Sequence, residues 1–302
     1  MDRIQTFNDL LGRCKQMNLK SRLAVAAADD EHTLEAVMKA HKHEIVTPVL
    51  VGDSPKIEAA LADLGFSAAD FTVYHAPDNT AAARLAVSLV RSGEADFLMK
   101  GSCPTAVLLK AVVDKENGLS NNRLMSHCAI VEIPDLGRLI AITDGGMVPY
   151  PDLQDKKSII ENAVAVFHGF GNPEPKVGIL ASIESVNPKM PETIEAAELA
   201  DMYAKGEIKG CIVAGPISYD VAMDPDIAIY KGYEGPVKGD ADILVAPDIH
   251  AGNILAKALY CSAKAKVAGF VVGAKVPVVV SSRGASADDK FFSILASVAS
   301  LG

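Results

Sequence analysis

Three side chains towards the C-terminal end of the sequence have the types and the spacing that acyl transfer needs. Ser282 provides a hydroxyl, Arg283 a permanent cation, and Asp289 a carboxylate seven residues after the serine. A positioned carboxylate can take up a proton, and a hydroxyl beside a guanidinium can stabilise the negative charge that develops on an attacked carbonyl oxygen. These three residues are therefore the candidate reacting group.

The element that must position this group is a run of β-branched residues. Residues 276–280 read Val-Pro-Val-Val-Val, which predicts a buried strand, and a helical pattern begins near Ser286. In open α/β sheets, ligands bind beyond the carboxyl ends of the strands. The candidate group is expected at such an end.

A purely structural role explains part of the same group. Ser286 and Asp289 stand three residues apart in front of an apolar helical pattern, and this spacing is typical of a capping pair. Asp289 could cap a helix, act as a base, or do both. The residue types alone leave these alternatives open.

A second polar cluster follows an earlier strand pattern. Lys100, Gly101 and Ser102 come directly after the apolar residues 97–99, and Pro104 suits the first turn of a helix. The unpaired N–H groups at a helix start favour an anion, so this segment is a candidate phosphate site. The alternative is that Ser102 only caps the helix.

Two further strand ends carry polar residues. Asp144 follows the predicted strand 138–143, and Gly252 and Asn253 follow the predicted strand 242–246. A glycine at a helix start lets the backbone approach a phosphate closely. His127 lies at the beginning of another strand, where a buried structural imidazole and a catalytic one are both open interpretations.

Strand patterns alternate with helical patterns along most of the chain. One clear helix follows Pro77, with Asp78 as its predicted N-cap and Gly93 at its end. This alternation predicts an α/β fold with a mostly parallel sheet covered on both faces. Residues 123–134 and 138–143 instead predict a hairpin, and 302 residues exceed the usual size of one core, which predicts two domains.

Composition excludes several classes of function. A net charge of −9 with no Lys/Arg-dense block argues against nucleic acid and membrane partners. Five scattered cysteines without metal-ligand spacing predict a reduced, cytoplasmic protein that holds no metal. The N-terminus has no signal pattern, and the longest apolar run covers only residues 267–274.

Six short motifs occur in one order along the chain. They are Leu98-Met-Lys-Gly101, Ile142-Thr-Asp144, Val186-Asn-Pro-Lys-Met-Pro191, Gly210-Cys-Ile-Val-Ala-Gly-Pro216, Pro247-Asp-Ile-His-Ala-Gly-Asn253 and the segment from Ser282. Together they resemble the phosphate acetyltransferase/phosphate butyryltransferase family over nearly the whole chain. The likeness is closer to the butyryl branch, through residues 186–191 and the Gly-Ala-Lys-Val-Pro run at 273–277.

The resemblance implies reversible transfer of an acyl group between coenzyme A and inorganic phosphate, with acyl-CoA and acyl phosphate as partners and no metal or redox cofactor. It implies two α/β domains with mostly parallel sheets that face each other across a cleft, as in isocitrate and isopropylmalate dehydrogenases, and a homo-oligomer. The expected domains are residues 1–125 with 282–302, and residues 126–281.

In the acetyl branch of this family, a serine-arginine pair and an aspartate seven residues beyond the serine form the reacting group. They match Ser282, Arg283 and Asp289. The residues expected to bind coenzyme A or phosphate are Lys100, Gly101, Ser102, Asp144, Gly252 and Asn253.

The sequence departs from the family pattern at two places. Asp144 is followed by Gly-Gly-Met where butyryl-type members often read Ala-Ala-Met. Arg283 is followed by Gly-Ala-Ser, a continuation that butyryl-type members often lack. Likeness to both branches predicts a short apolar acyl group of about two to five carbons.

Two rival functions come from other classes. Asp220 and Asp224, spaced four apart, could hold a divalent ion in a metal-dependent decarboxylating dehydrogenase. A non-catalytic acyl-CoA-binding protein is the other rival, which the presence of the complete reacting group disfavours.

Overall fold

Strands and helices alternate along the chain in the computed structural model, which describes residues 4–282 and 284–301. The strands are β1 (Ser21–Ala26), β2 (Val46–Gly52), β3 (Thr72–His75), β4 (Phe97–Lys100), β5 (Ser126–Glu132), β6 (Leu139–Thr143), β7 (Lys176–Leu180), β8 (Ile212–Ile217), β9 (Ile243–Val245), β10 (Lys266–Val272) and β11 (Val278–Val279).

The helices are α1 (Phe7–Met17), α2 (Glu31–Lys42), α3 (Ser54–Asp63), α4 (Asn79–Arg91), α5 (Thr105–Val112), α6 (Leu153–Gly169), α7 (Pro191–Ala204), α8 (Tyr219–Met223), α9 (Pro225–Tyr230), α10 (Ile249–Ser262) and α11 (Ala287–Ala299), with a short 3₁₀ turn at Ala68–Asp70. This is the α/β fold that the alternating pattern predicts.

Contacts divide the chain into two units. The terminal unit consists of residues 8–123 together with 268–282 and 284–301, and the central unit consists of residues 4–7 and 124–267. The second boundary is predicted at residue 281 and lies at residue 267 in this division. The reason is that β11 pairs with β4 and β10 pairs with β11, so both strands are held by the terminal unit.

The strands of the terminal unit, called the terminal sheet below, follow the order β3-β2-β1-β4-β11-β10. Its first five strands are parallel, and β10 is antiparallel to β11. The sequence predicts a strand over residues 276–280, but the strand is only Val278–Val279. Pro277 has no N–H to give to a ladder, so regular pairing begins after it.

The strands of the central unit, called the central sheet below, follow the order β5-β6-β9-β7-β8. Strands β6, β9, β7 and β8 are parallel, whereas β5 and β6 form the predicted antiparallel hairpin. Its strands are rich in Val, Ile and Leu that are almost fully buried, as expected where helices cover a parallel sheet. The hairpin direction places the start of β5 at the same edge as the end of β6.

Helix boundaries follow local capping chemistry. Asp78 caps α4 by accepting hydrogen bonds from the N–H groups of Thr80 at 2.8 Å and Ala81 at 2.9 Å, and Gly93 takes a left-handed conformation just past the end of the helix. Both predictions for this helix are confirmed. In the described residues, no helix has both the length and the apolar character that crossing a membrane requires.

Candidate active site

Strands β4 and β11 bring two of the predicted site segments to one edge of the terminal sheet. They are parallel neighbours, with Met99 paired to Val279. Lys100 is the last residue of β4, and Ser282 follows three residues after the end of β11. Because parallel strands end at the same edge, the Lys100 segment and the exposed Ser282 lie at the same side of this sheet.

Lys100 is buried, and its ammonium group is engaged by the chain that follows it. Its Nζ donates to the carbonyl of Gly101 at 2.9 Å and to that of Cys103 at 3.2 Å. The N–H groups of Gly101 and Ser102 in turn donate to carbonyls at the end of β1. These two N–H groups are therefore already paired, and the predicted anion site cannot be built from them.

Helix α5 begins later than Ser102. Pro104 is its N-cap residue, and the Ser102 hydroxyl is hydrogen bonded to Asp29. The capping alternative for Ser102 is thus wrong, because its side chain turns to another strand end. In the first turn of α5, the Val107 N–H already donates to the Pro104 carbonyl at 3.0 Å, so the helix geometry leaves the N–H groups of Thr105 and Ala106 for a ligand.

Gly101 is a glycine for a steric reason. A Cβ at this position would lie 2.7 Å from the carbonyl carbon of Ala27. The segment after β4 therefore packs directly on the backbone that follows β1, and any larger side chain would displace it.

Asp289 lies in the first turn of α11 and is buried. The hydroxyl of Ser286 accepts from the Asp289 N–H at 3.1 Å, while the Asp289 carboxylate accepts from the Ser286 N–H at 3.0 Å and from its hydroxyl at 2.7 Å. This is the reciprocal capping box that the spacing predicts. Arg283 lies outside the described residues.

A neighbouring pair, which the sequence patterns did not single out, fixes α11 in the terminal unit. Lys290 is buried, and its Nζ donates to Asp30 at 2.6 Å and to the Thr33 hydroxyl at 2.9 Å. Burial works against ionisation of Asp30, but the hydrogen bonds from Lys290 and Thr33 outweigh it and lower the pKa of this carboxyl. Its only sequence signal is a lysine directly after the candidate base.

In the central unit, Asp144 follows β6 and is buried. One carboxylate oxygen accepts from the N–H groups of Gly146 at 2.7 Å and Met147 at 2.8 Å, and the other accepts from the His127 N–H at 2.8 Å. Asp144 therefore organises the loop after β6 and ties it to the start of β5. Its role in substrate binding stays a prediction.

Helix α10 begins at Ile249 with Asp248 as its N-cap, earlier than the start predicted at Gly252. Gly252 and Asn253 are its fourth and fifth residues and contact the same loop. A Cβ on Gly252 would lie 2.5 Å from the carbonyl oxygen of Asp144, and the Asn253 amide donates to the carbonyl of Gly145 at 2.9 Å. The close approach that requires glycine here is to the chain's own backbone. The structure thus brings Asp144, Gly252 and Asn253 together in the central unit.

The two carboxylates of the metal interpretation do not share a site. Helix α8 ends at Met223, so Asp220 and Asp224 are not on one helix. A hydrogen bond from Ser218 and an ion pair with Lys231 at 2.9 Å lower the pKa of Asp220 to about 2. Asp224 caps α9 by accepting from the N–H groups of Asp226 and Ile227.

A sequence profile of the family described as phosphate acetyl/butaryl transferase matches residues 77–298. The chain belongs to this family. A probable phosphate butyryltransferase of Bacillus subtilis is 43% identical over 286 residues, 95% of each chain. A phosphate acetyltransferase of Thermotoga maritima is 45% identical over 273 residues, which cover 90% of this chain and 92% of that one.

A solved structure agrees with both the family and the fold. The crystal structure of a branched-chain phosphotransacylase from Enterococcus faecalis superposes with a TM-score of 0.84 at 34% identity, and the match covers 93% of this chain and 99% of that one. The protein is therefore an enzyme, a phosphate acyltransferase, as the sequence motifs imply.

Proposed function

We propose that this phosphate acyltransferase moves a short apolar acyl group reversibly between coenzyme A and inorganic phosphate, with Asp289 as the base. The observation that carries the proposal is the reciprocal capping box at the start of α11, which holds a buried carboxylate in one position. In a family whose reaction uses a thiol, a fixed carboxylate seven residues after Ser282 is suited to proton transfer.

The direction that consumes coenzyme A begins with the thiol. A thiol of pKa near ~8.5 is mostly protonated at neutral pH, and the thiolate is the nucleophile. Asp289 takes the proton, the sulfur forms a bond to the acyl carbon, and the bond from that carbon to the phosphate oxygen breaks. Positioned proton transfer of this kind contributes about 10²- to 10⁴-fold in rate.

Ser282 and Arg283 are proposed to stabilise the carbonyl oxygen as it gains negative charge. A well-placed donor of this kind contributes roughly 3 to 4 kcal/mol to the transition state. Arg283→Lys keeps the charge and loses the planar fork of donors. We expect this change to lower turnover more than it weakens coenzyme A binding.

Phosphate and coenzyme A are proposed to bind at the strand ends that carry the remaining predicted residues. In the terminal unit these are Lys100, Gly101 and Ser102, with the first turn of α5 as the source of unpaired N–H groups. In the central unit, Gly252 and Asn253 are the fourth and fifth residues of α10, and Asp144 shapes the loop beside them.

The proposal includes no redox cofactor, because one thioester and one phosphate are exchanged for one acyl phosphate and one thiol without a change of oxidation state. It includes no metal, because the proposed base is a carboxylate of the chain. The arrangement of two domains across a cleft, as in isocitrate and isopropylmalate dehydrogenases, stays a prediction. A cytoplasmic homo-oligomer without nucleic acid or membrane partners is likewise proposed, in keeping with the net charge of −9.

The test is a thiol-release assay with acetyl-, propionyl- and butyryl-CoA, each with and without phosphate. We expect release that depends on phosphate and formation of the matching acyl phosphate. Each methylene is worth about 1 to 3 kcal/mol, so neighbouring chain lengths should differ by no more than roughly 10- to 200-fold in kcat/KM. Release that does not depend on phosphate would contradict the proposal.

A further inference from the structure

His127 is held in place from both sides of its backbone. Its N–H donates to Asp144 at 2.8 Å, and its carbonyl accepts from the Thr143 hydroxyl at 2.9 Å. It is the second residue of β5, so it lies at the same edge of the central sheet as the loop that Asp144 organises. The imidazole therefore starts from a fixed position beside the predicted binding residues.

The ring itself packs against that loop. A Cβ added at Gly146 would lie 3.0 Å from Cγ of His127, so the glycine makes room for the ring. The residue is partly exposed, yet its Nδ1 is buried and has no hydrogen-bond partner in the described part of the chain. The other ring nitrogen, Nε2, is not in this buried and unpartnered state.

This asymmetry determines the tautomer. Burial lowers the pKa of His127, and the charge of Asp144 opposes the shift without reversing it, so the ring is neutral at pH 7. A neutral imidazole has one N–H and one acceptor nitrogen. A buried donor without a partner is rarer and more costly than an underused acceptor, so the proton belongs on Nε2.

The Nε2–H of neutral His127, beside the carboxylate of Asp144, is suited to donate a hydrogen bond to an uncharged oxygen of a ligand. The carboxylate of Asp144 acts electrostatically on the ring, and its charge disfavours a phosphate dianion at the same point. A carbonyl oxygen has no such conflict. Acyl-CoA offers this group twice, as the thioester carbonyl and as the amide carbonyls of its pantetheine arm.

We propose that the Nε2–H of His127 donates a hydrogen bond to a carbonyl oxygen of bound acyl-CoA. The proposal rests on the proposed function, since it needs acyl-CoA to be the substrate. It assigns His127 to recognition of the acyl donor and gives it no part in binding phosphate.

Three substitutions at His127 separate the two ring nitrogens. His127→Gln places an amide N–H near the position of Nε2, His127→Asn places it near Nδ1, and His127→Phe keeps the ring shape without either nitrogen. We expect His127→Gln to keep the KM for acyl-CoA within about threefold, and the other two to raise it by roughly five- to tenfold, as for one lost hydrogen bond. The KM for phosphate should not change in any of them.

The reverse reaction distinguishes the two carbonyls, because free coenzyme A contains the amides and lacks the thioester. A higher KM for free coenzyme A in His127→Asn and His127→Phe assigns the bond to an amide. A lower kcat with an unchanged KM for coenzyme A assigns it to the thioester. Wild-type values for both substrates in all three variants, or a rise in the KM for phosphate alone, would overturn the proposal.

Two controls keep the test decisive. The wild-type protein is assayed first, so failure of the proposed function appears as absent phosphate-dependent release before any variant is made. If His127→Phe does not fold, His127→Gln and His127→Asn are compared with each other, because both side chains are polar amides that differ in the position of the N–H. Nitrogen-15 NMR of the wild-type imidazole should show the proton on Nε2, and a proton on Nδ1 would contradict the assignment.

Discussion

The Oδ2 atom of Asp289 accepts two hydrogen bonds from Ser286, one from its N–H at 3.0 Å and one from its hydroxyl at 2.7 Å. The cap and the candidate base are therefore the same carboxylate. A side chain that keeps an acceptor oxygen but cannot take up a proton separates the two roles.

Asp289→Asn is that change. The amide oxygen can still accept from Ser286, so we expect the free energy of unfolding to fall by at most about 1 kcal/mol. The amide cannot accept the thiol proton, so turnover in the direction that consumes coenzyme A should fall by roughly 10²-fold or more. Thermal unfolding and steady-state kinetics measure the two effects. Full turnover with early melting would show that Asp289 is a cap alone.

Ser286→Ala is the matched control for this pair. It removes the hydroxyl that accepts from the Asp289 N–H at 3.1 Å, so we expect a stability loss of about 1 kcal/mol. The carboxylate itself remains, and turnover should change much less than in Asp289→Asn. A loss of turnover equal to that of Asp289→Asn would mean that the hydroxyl takes part in the reaction.

Gly252→Ala should weaken the central unit. The new Cβ would lie 2.5 Å from the Asp144 carbonyl oxygen, and backbone atoms can yield only by moving the loop, so we expect a loss of about 1 to 3 kcal/mol. Gly12→Ala in α1 is the control, since nothing lies within 4 Å of its Cβ, and it should gain up to about 1 kcal/mol. Equal melting temperatures of the two variants would contradict the close approach.

Stability should fall between pH 7 and pH 5 because of His127. Burial holds its folded pKa below the unfolded value of about 6.5, so the unfolded chain binds the proton first as the pH drops. The contribution is fully present above about pH 6.5 and is lost below it by at most about 1.4 kcal/mol per pH unit. His127→Gln should remove this part of the pH dependence of the unfolding free energy, which urea unfolding at several pH values measures. An unchanged pH dependence would show that His127 is not its source.

A chelator should leave the rate intact. Asp220 is paired with Lys231, and Asp224 caps α9, so neither is arranged as a metal ligand with the other. The measurement is the thiol-release rate after dialysis against EDTA, with and without added magnesium. A large loss restored by magnesium or manganese would favour the dehydrogenase interpretation.

Local patterns predicted the elements whose causes are local. The hairpin of β5 and β6, the cap at Asp78 and the box of Ser286 and Asp289 all depend on residues close in sequence, and the structure confirms them. The bond from Ser102 to Asp29 joins residues 73 apart. Such a contact exists only once strands are placed side by side, so spacing offered only a phosphate site or a helix cap as the role of Ser102.

The candidate site divides in the same way. Residue types located the strand ends at Lys100, Asp144 and Gly252, because polar residues after apolar runs are visible in a sequence. The sequence does not show what each residue does there, because its partners are distant along the chain. Asp144 accepts from His127, 17 residues away, and Gly252 contacts the backbone of Asp144, 108 residues away. The role of a buried carboxylate depends on which N–H groups surround it.

The pairing of Lys290 with Asp30 has a consequence for how the chain is made. These residues are 260 positions apart, and β11, which pairs with β4, is also encoded late. Domains generally fold as units while synthesis proceeds from the N-terminus. The central unit can therefore complete its strand pairing on the ribosome first. Until β11 is synthesised, the edge of β4 with which it pairs stays exposed. Aggregation of nascent chains should accordingly increase with the time for which the β4 edge stays unpaired.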